Sequence, residues 1–172
     1  NEKDARTWID DKTNVIDLKG KTMTSGFIEG HGHFFGVGYY EIDLDLMKAK
    51  NYDEIVEMVR QAVEKAEPGQ WILGRGWHQE KWDTLPSNMV KGFQTHEKLS
   101  AVSPNNPVAL EHASGHAVQV NAKAMEIAGV NQLSKESLKA ISEEGGEIIR
   151  DKNGNPTGIF NELATGLIYK HM

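Results

Sequence analysis

Residues 25–38 read SGFIEGHGHFFGVG. An apolar pair, Phe27-Ile28, leads through Glu29 to His31 and His33, which are separated by one glycine and framed by Gly30 and Gly36. In an extended strand alternate side chains share a face, so the two imidazoles would project together, a few ångströms apart. That presentation suits two ligands of one divalent metal ion, at about 2.0–2.1 Å for zinc. Gly32 would lie on the opposite face and admit close packing of neighbouring backbone. An isolated H-x-H is common by chance. The apolar run before this one and the glycine-rich strand end after it make the pattern much rarer.

Composition bounds what such a metal could use. The chain of 172 residues contains no cysteine, so disulfides, thiolate metal sites and a cysteine nucleophile are excluded, and ligands must be His, Asp or Glu. A formal charge of −6 with no basic stripe excludes nucleic acid as the main partner; Lys48 and Lys50 belong to a solvated surface. No apolar run reaches the roughly 18 residues of a membrane span, and the polar, acidic start NEKDARTWIDD is unlike a secretory leader. A cytoplasmic setting is the default expectation. The chain opens on Asn1 rather than Met, which suggests a piece of something longer.

Outward from the opening stretch the pattern is mixed α/β. Residues 14–18, NVIDL, alternate and meet a KGK turn, which predicts a short strand, and TMTSGFIEGHGH follows as a second extended stretch. Helical spacing of Ile55, Val59, Ala62, Val63 and Ala66, with an Asn51/Glu54 capping box and a Pro68-Gly69 stop, predicts a helix over 51–67. WILGRGW (71–77) and NPVALEH (106–112) read as strands. Asn121 and Ser134 are N-caps of two further helices, reaching Ala128 and about Glu144. Residues 147–160 form a hairpin signal turning at Asn153-Gly154, and a last helix begins near Asn161. A complete (β/α)₈ barrel, which needs roughly 200 residues or more, does not fit this length.

The stretch VIDLKGKTMTSGFIEGHGHF resembles the passage by which amidohydrolase-superfamily enzymes leave an N-terminal β-sandwich and enter barrel strand one. Ser25 stands where that pattern usually has Pro, and Glu29 where it has Asp. PGQWILGRGWHQEKW (68–82), NPVALEHASGHAVQVNAKAMEIAGV (106–130) and GGEIIRDKNGNPTGIFNELA (145–164) are similar, in the same order, to landmarks of one branch, amidohydrolase family 3, which includes N-substituted formamide deformylase-like enzymes. The resemblance implies a metal-dependent hydrolase of carbon–nitrogen bonds other than peptide bonds. Zinc or another divalent metal would be its cofactor, and a small amide, N-acyl or formamide compound its substrate. It implies residues 1–38 as the end of the sandwich and the first barrel strand, and 39–172 as an inserted α/β subdomain. His31 and His33 carry over as metal ligands, and His116, in SGHA-x-x-x-N, as a group near the substrate.

The family's remaining ligands, a modified lysine, two histidines and an aspartate, lie on later barrel strands, so the chain alone is expected to be an inactive fragment, with no catalytic residue assigned in it. Trp77 and His78, at a glycine-flanked strand end, are further candidates for the substrate pocket, although a tryptophan in such a strand is ordinarily core. His112 reads most simply as a satisfied strand histidine. His96 and His171 carry no pattern and are expected in solvent. Two other readings stay open. The chain is a non-catalytic binding or regulatory module, as some relatives named exoenzyme regulators suggest, or it is a small complete metalloenzyme using His31, His33, His112 and His116. The barrel-strand segment, without neighbours, is expected to be disordered, paired elsewhere, or covered by a second copy of the chain.

Overall fold

The computed structural model describes residues 2–28, 30, 32, 38 and 42–172. The chain divides into two compact units, residues 1–33 and 34–172. His31 and His33, with half of the 25–38 stretch, lie outside the described residues.

Among its described residues the first unit contains α1 (Glu2–Arg6) and otherwise turns and irregular backbone. The strand expected at 14–18 does not form: Val15 and Ile16 are exposed and residues 13–18 carry no ladder. Phe27 and Ile28 are 98% and 96% exposed. Period-two alternation specifies a face to bury, but a strand is held by hydrogen bonds to a partner strand, and none is paired with it among the described residues.

The second unit is built on one six-stranded sheet in the order β1 (Leu44–Asp45), β2 (Ile72–Trp77), β3 (Val108–His112), β4 (Ala117–Val120), β6 (Pro156–Asn161), β5 (Glu147–Arg150). β1, β2 and β3 run parallel, while β4, β6 and β5 are joined by antiparallel pairings. The helices of this unit are α2 (Tyr52–Val63), α3 (Glu97–Val102), α4 (Ala122–Ile127), α5 (Lys135–Glu143) and α6 (Gly166–Tyr169). Alternation along the strands feeds two cores. On one face Ile72, Val108, Leu110 and Ile159 pack with Ile55 and Val59 of α2 and Leu99 of α3. On the other, Ala109, Val118, Val120 and Phe160 pack with Met125 of α4 and Ile168 of α6.

α2 starts as the sequence predicts. The Asn51 side chain accepts from the Glu54 amide at 2.9 Å, and the Glu54 carboxylate accepts from the Lys50 amide at 2.8 Å. The helix ends at Val63, which is half-buried, and the chain continues in turns to Gly69. The hairpin forms with Gly154 in the left-handed region and Asp151 accepting from the Asn153 and Asn155 amides. The last helix is split: a 3₁₀ turn over Glu162–Thr165 precedes α6. β1, α3 and β4 were not expected from the sequence. His96 also departs from expectation: it is half-buried, with Nδ1 2.8 Å from the Ser100 hydroxyl, because α3 tucks it against Gly158.

Candidate functional site

One end of the sheet collects the carboxyl ends of β2, β3 and β6 with the amino ends of β4 and β5, since Trp77 is level with His112, and Ala117 and Glu147 with Asn161. It is also where the parallel half gives way to the antiparallel half. Open α/β sheets bind ligands beyond the carboxyl ends of strands, where the topology changes and neighbouring loops part. A cavity of about 450 Å³ occupies this end, bordered by His78, His112, Ser114, His116, Asn161 and Glu162.

β2 bulges between Arg75 and Trp77, where Gly76 takes a φ of 105° beside Met47. The bulge puts consecutive residues in different settings. Trp77 is fully buried, donates its indole N–H to the Leu110 carbonyl at 2.8 Å and packs edge-on to the His112 ring at 4.6 Å. It therefore braces His112 from the core. His78 emerges beside the cavity, its ring centroid 4.7 Å from that of His112.

β3 ends at His112 and a tight turn through left-handed Gly115 leads to His116 and β4. The Ser114 amide donates to His112 Nδ1 at 3.1 Å, and the Ser114 hydroxyl lies 2.8 Å from the same nitrogen. The His116 amide donates to Ser114 Oγ at 3.2 Å, which leaves the hydroxyl proton for His112. With Nδ1 accepting, the neutral ring carries its proton on Nε2. Burial pushes the His112 pKa down to about 4, with His78 adding to the shift and Glu80 opposing it. At neutral pH His112 is thus an uncharged N–H donor, 8% exposed, and its Nε2 has no partner.

That orphan has company. Nδ1 of His78, Oε1 of Gln79 and Oδ1 of Asn161 are also buried without partners, and all three residues border the same cavity. Native interiors leave few polar groups unpaired, and here four of them belong to residues that border one space. At the rim His116 Nδ1 lies 3.1 Å from Glu162 Oε2, and both side chains are largely exposed. Glu162 has a φ of 51°, an uncommon backbone for a non-glycine residue and one that concentrates at functional sites.

Of the candidates named from sequence, His78 and His116 border the cavity and Trp77 stands behind His112. His112 is more than a satisfied strand histidine: one nitrogen is held and the other is free. Asn161, Gln79 and Glu162 were missed. Asn161-Glu162 reads as a helix start, and only the left-handed turn after β6 aims this pair elsewhere. Among the described residues no group of three or more His, Asp or Glu side chains is placed to hold a metal ion.

The α/β fold of this chain is shared with a solved structure. That structure, an uncharacterized metal-dependent hydrolase from Pyrococcus furiosus, superposes with a TM-score of 0.51 at 24% identity, covering 84% of this chain and 24% of the other. The chain belongs to the amidohydrolase family, whose model matches residues 14–172. It is 31% identical over 157 residues to the N-substituted formamide deformylase of Arthrobacter pascens, covering 90% of this chain and 27% of that protein. It is also 34% identical over 162 residues to the protein LONG AFTER FAR-RED 3 of Arabidopsis thaliana, covering 94% of this chain and 25% of that protein. The chain thus spans about a quarter of the length of these relatives. No helix among the described residues is long and apolar enough to cross a membrane.

Proposed function

We propose that this chain is part of a metal-dependent amidohydrolase that cleaves carbon–nitrogen bonds other than peptide bonds in small amides, N-acyl amines or formamides. The observation that carries the reading is the family match over 14–172, joined by the deformylase relative. In this reading residues 1–38 bring the end of a sandwich and the first barrel strand, and 39–172 are the inserted subdomain. His31 and His33 supply two ligands of a divalent metal, zinc being the family's usual choice. A metal in such an enzyme lowers the pKa of bound water to near 7 and polarises the scissile carbonyl. A working zinc site needs about three protein ligands, so two imidazoles give weak binding and no turnover in the chain alone. Trp77 acts as a positioning residue for His112, and His116 faces the substrate.

Zinc titration and an assay with N-benzylformamide test this. The 172-residue chain should bind zinc weakly, lose that binding in His31→Ala, and release no formate. A longer protein containing it should release formate, and lose the activity on His31→Ala or His33→Ala. Tight one-to-one zinc with turnover in the chain alone would overturn the incomplete site. No turnover of any formamide or N-acyl amine by the longer protein would favour a binding or regulatory role.

A further inference from the structure

Two glutamates on the border of the sheet-end cavity have side-chain partners of different kinds. Glu147 is taken by Lys91, whose Nζ lies 2.5 Å from its Oε1. Glu162 is tied to His116, and by two bonds. Its backbone amide donates to the His116 carbonyl at 2.8 Å, one step beyond the pairing of Ala117 with Asn161 that joins β4 to β6. Its side-chain Oε2 lies 3.1 Å from His116 Nδ1.

An ionised carboxylate can only accept, so the proton between these two atoms belongs to Nδ1. A neutral imidazole has one ring proton, which leaves His116 Nε2 as an acceptor. The turn between β3 and β4 therefore holds its two histidines in opposite forms. Ser114 occupies Nδ1 of His112 as a donor and gives that ring Nε2–H, whereas Glu162 gives His116 a bare Nε2. The side chains of His116 and Glu162 are 69% and 55% exposed, so solvent and small molecules reach them without disturbing the core. Packing does not account for the arrangement. A contact between exposed side chains returns little stability, and Glu162 makes it from a φ of 51°, which works against the fold. Backbone strain of this kind concentrates where a side chain has to be aimed.

We propose that Glu162 is a positioning residue: its carboxylate fixes His116 as the Nδ1–H tautomer, so that His116 meets the substrate through Nε2 as a hydrogen-bond acceptor. Glu162 acts through His116 and does not itself touch the substrate. That His116 serves a hydrolysis rests on the amidohydrolase reading, whereas the tautomer rests on the contact between the two side chains.

The first test needs no substrate. In ¹⁵N spectra of the 172-residue chain, taken above the imidazole titration range, His116 should show the Nδ1–H form. Glu162→Gly should shift it towards Nε2–H, and Glu162→Gln, which keeps an acceptor oxygen, should restore part of the wild-type signal. Glycine suits the left-handed backbone, so this variant keeps the fold. The second test uses the longer protein and N-benzylformamide. Glu162→Gly should lower kcat/KM at least about tenfold, the worth of one hydrogen bond to the substrate, and should change nothing further in a His116→Ala background. A wild-type His116 in the Nε2–H form overturns the proposal, as does a tautomer unmoved by Glu162→Gly. A loss from Glu162→Gly that persists in full beside His116→Ala also overturns it, because Glu162 would then act on its own. If the longer protein cleaves no formamide or N-acyl amine, the amidohydrolase reading falls, and the spectra alone still decide whether Glu162 sets His116.

Discussion

Glu162 holds a backbone that glycine would adopt more cheaply, at a cost of about 1 kcal/mol for a side chain in the left-handed region. Among the described residues its carboxylate meets exposed His116, and a contact between exposed side chains returns little stability. Glu162→Gly should therefore raise stability by about 0.5–1 kcal/mol in urea unfolding. Unchanged or lowered stability would mean that the carboxylate has a structural role. At His112 the prediction concerns pH. Its folded value of about 4 lies below the ordinary 6.5, so between these the unfolded chain binds more protons. The stability due to the neutral ring is complete above about 6.5 and is lost as pH falls towards 4. The groups facing the ring divide, with His78, His116 and Lys81 opposing its protonation and Glu80 favouring it. Denaturant midpoints across this range should fall more steeply for wild type than for His112→Asn. Parallel profiles would show that His112 takes up its proton without cost in the fold.

Two positions connect elements that are distant in sequence. Asn121 caps α4 by accepting from the Ala124 amide at 3.0 Å, and the same oxygen accepts from the Val108 amide at 3.0 Å. Its amide donates to Ser103 O, Ser103 Oγ and Asn106 O, all without solvent exposure. Loss of an ordinary N-cap costs about 1 kcal/mol. Asn121→Ala should cost about 3 kcal/mol, since it also strands buried groups of β3 and the loop after α3. A loss near 1 kcal/mol would show that water replaces the missing amide. At Gly158, in the middle of β6, φ is 91°, and an added Cβ would lie 2.5 Å from the Val120 carbonyl oxygen and 2.7 Å from His96 Cβ. Gly158→Ala should thus destabilise by more than about 2 kcal/mol, measured by thermal unfolding with β6 read by hydrogen exchange. The NPTG segment announced a hairpin arm, but the strand register and the approach of α3 make this glycine obligatory.

At the scale of the molecule the two units contrast. The second buries two apolar faces on one sheet, while the first leaves Trp8, Ile16, Met23, Phe27 and Ile28 mostly in solvent. Large apolar side chains left in water favour association. The chain should self-associate with rising concentration in sedimentation velocity, and Phe27→Ser with Ile28→Ser should reduce it. A monomer at all concentrations, in wild type and variant alike, would show that these side chains find cover within one copy.

Local signals in the sequence determined α2, α4, α5 and the hairpin. Each is announced by a cap or turn residue whose partner lies within four positions, as Asn51 with Glu54 and Asp151 with Asn155 do. The family was legible as well, because it rests on the order of short motifs rather than on contacts. The strand at 14–18 was misread because alternation alone supplies no partner. β4 was missed because AVQV is only four residues long and is specified by register against β3 and β6. The cavity was decided by tertiary structure alone. Its lining draws on residues 78, 79, 112 and 161, which no local pattern connects. Only the pairing of β2, β3, β4 and β6 sets those positions at one end of a sheet, and only packing against Trp77 leaves one nitrogen of His112 buried without a partner.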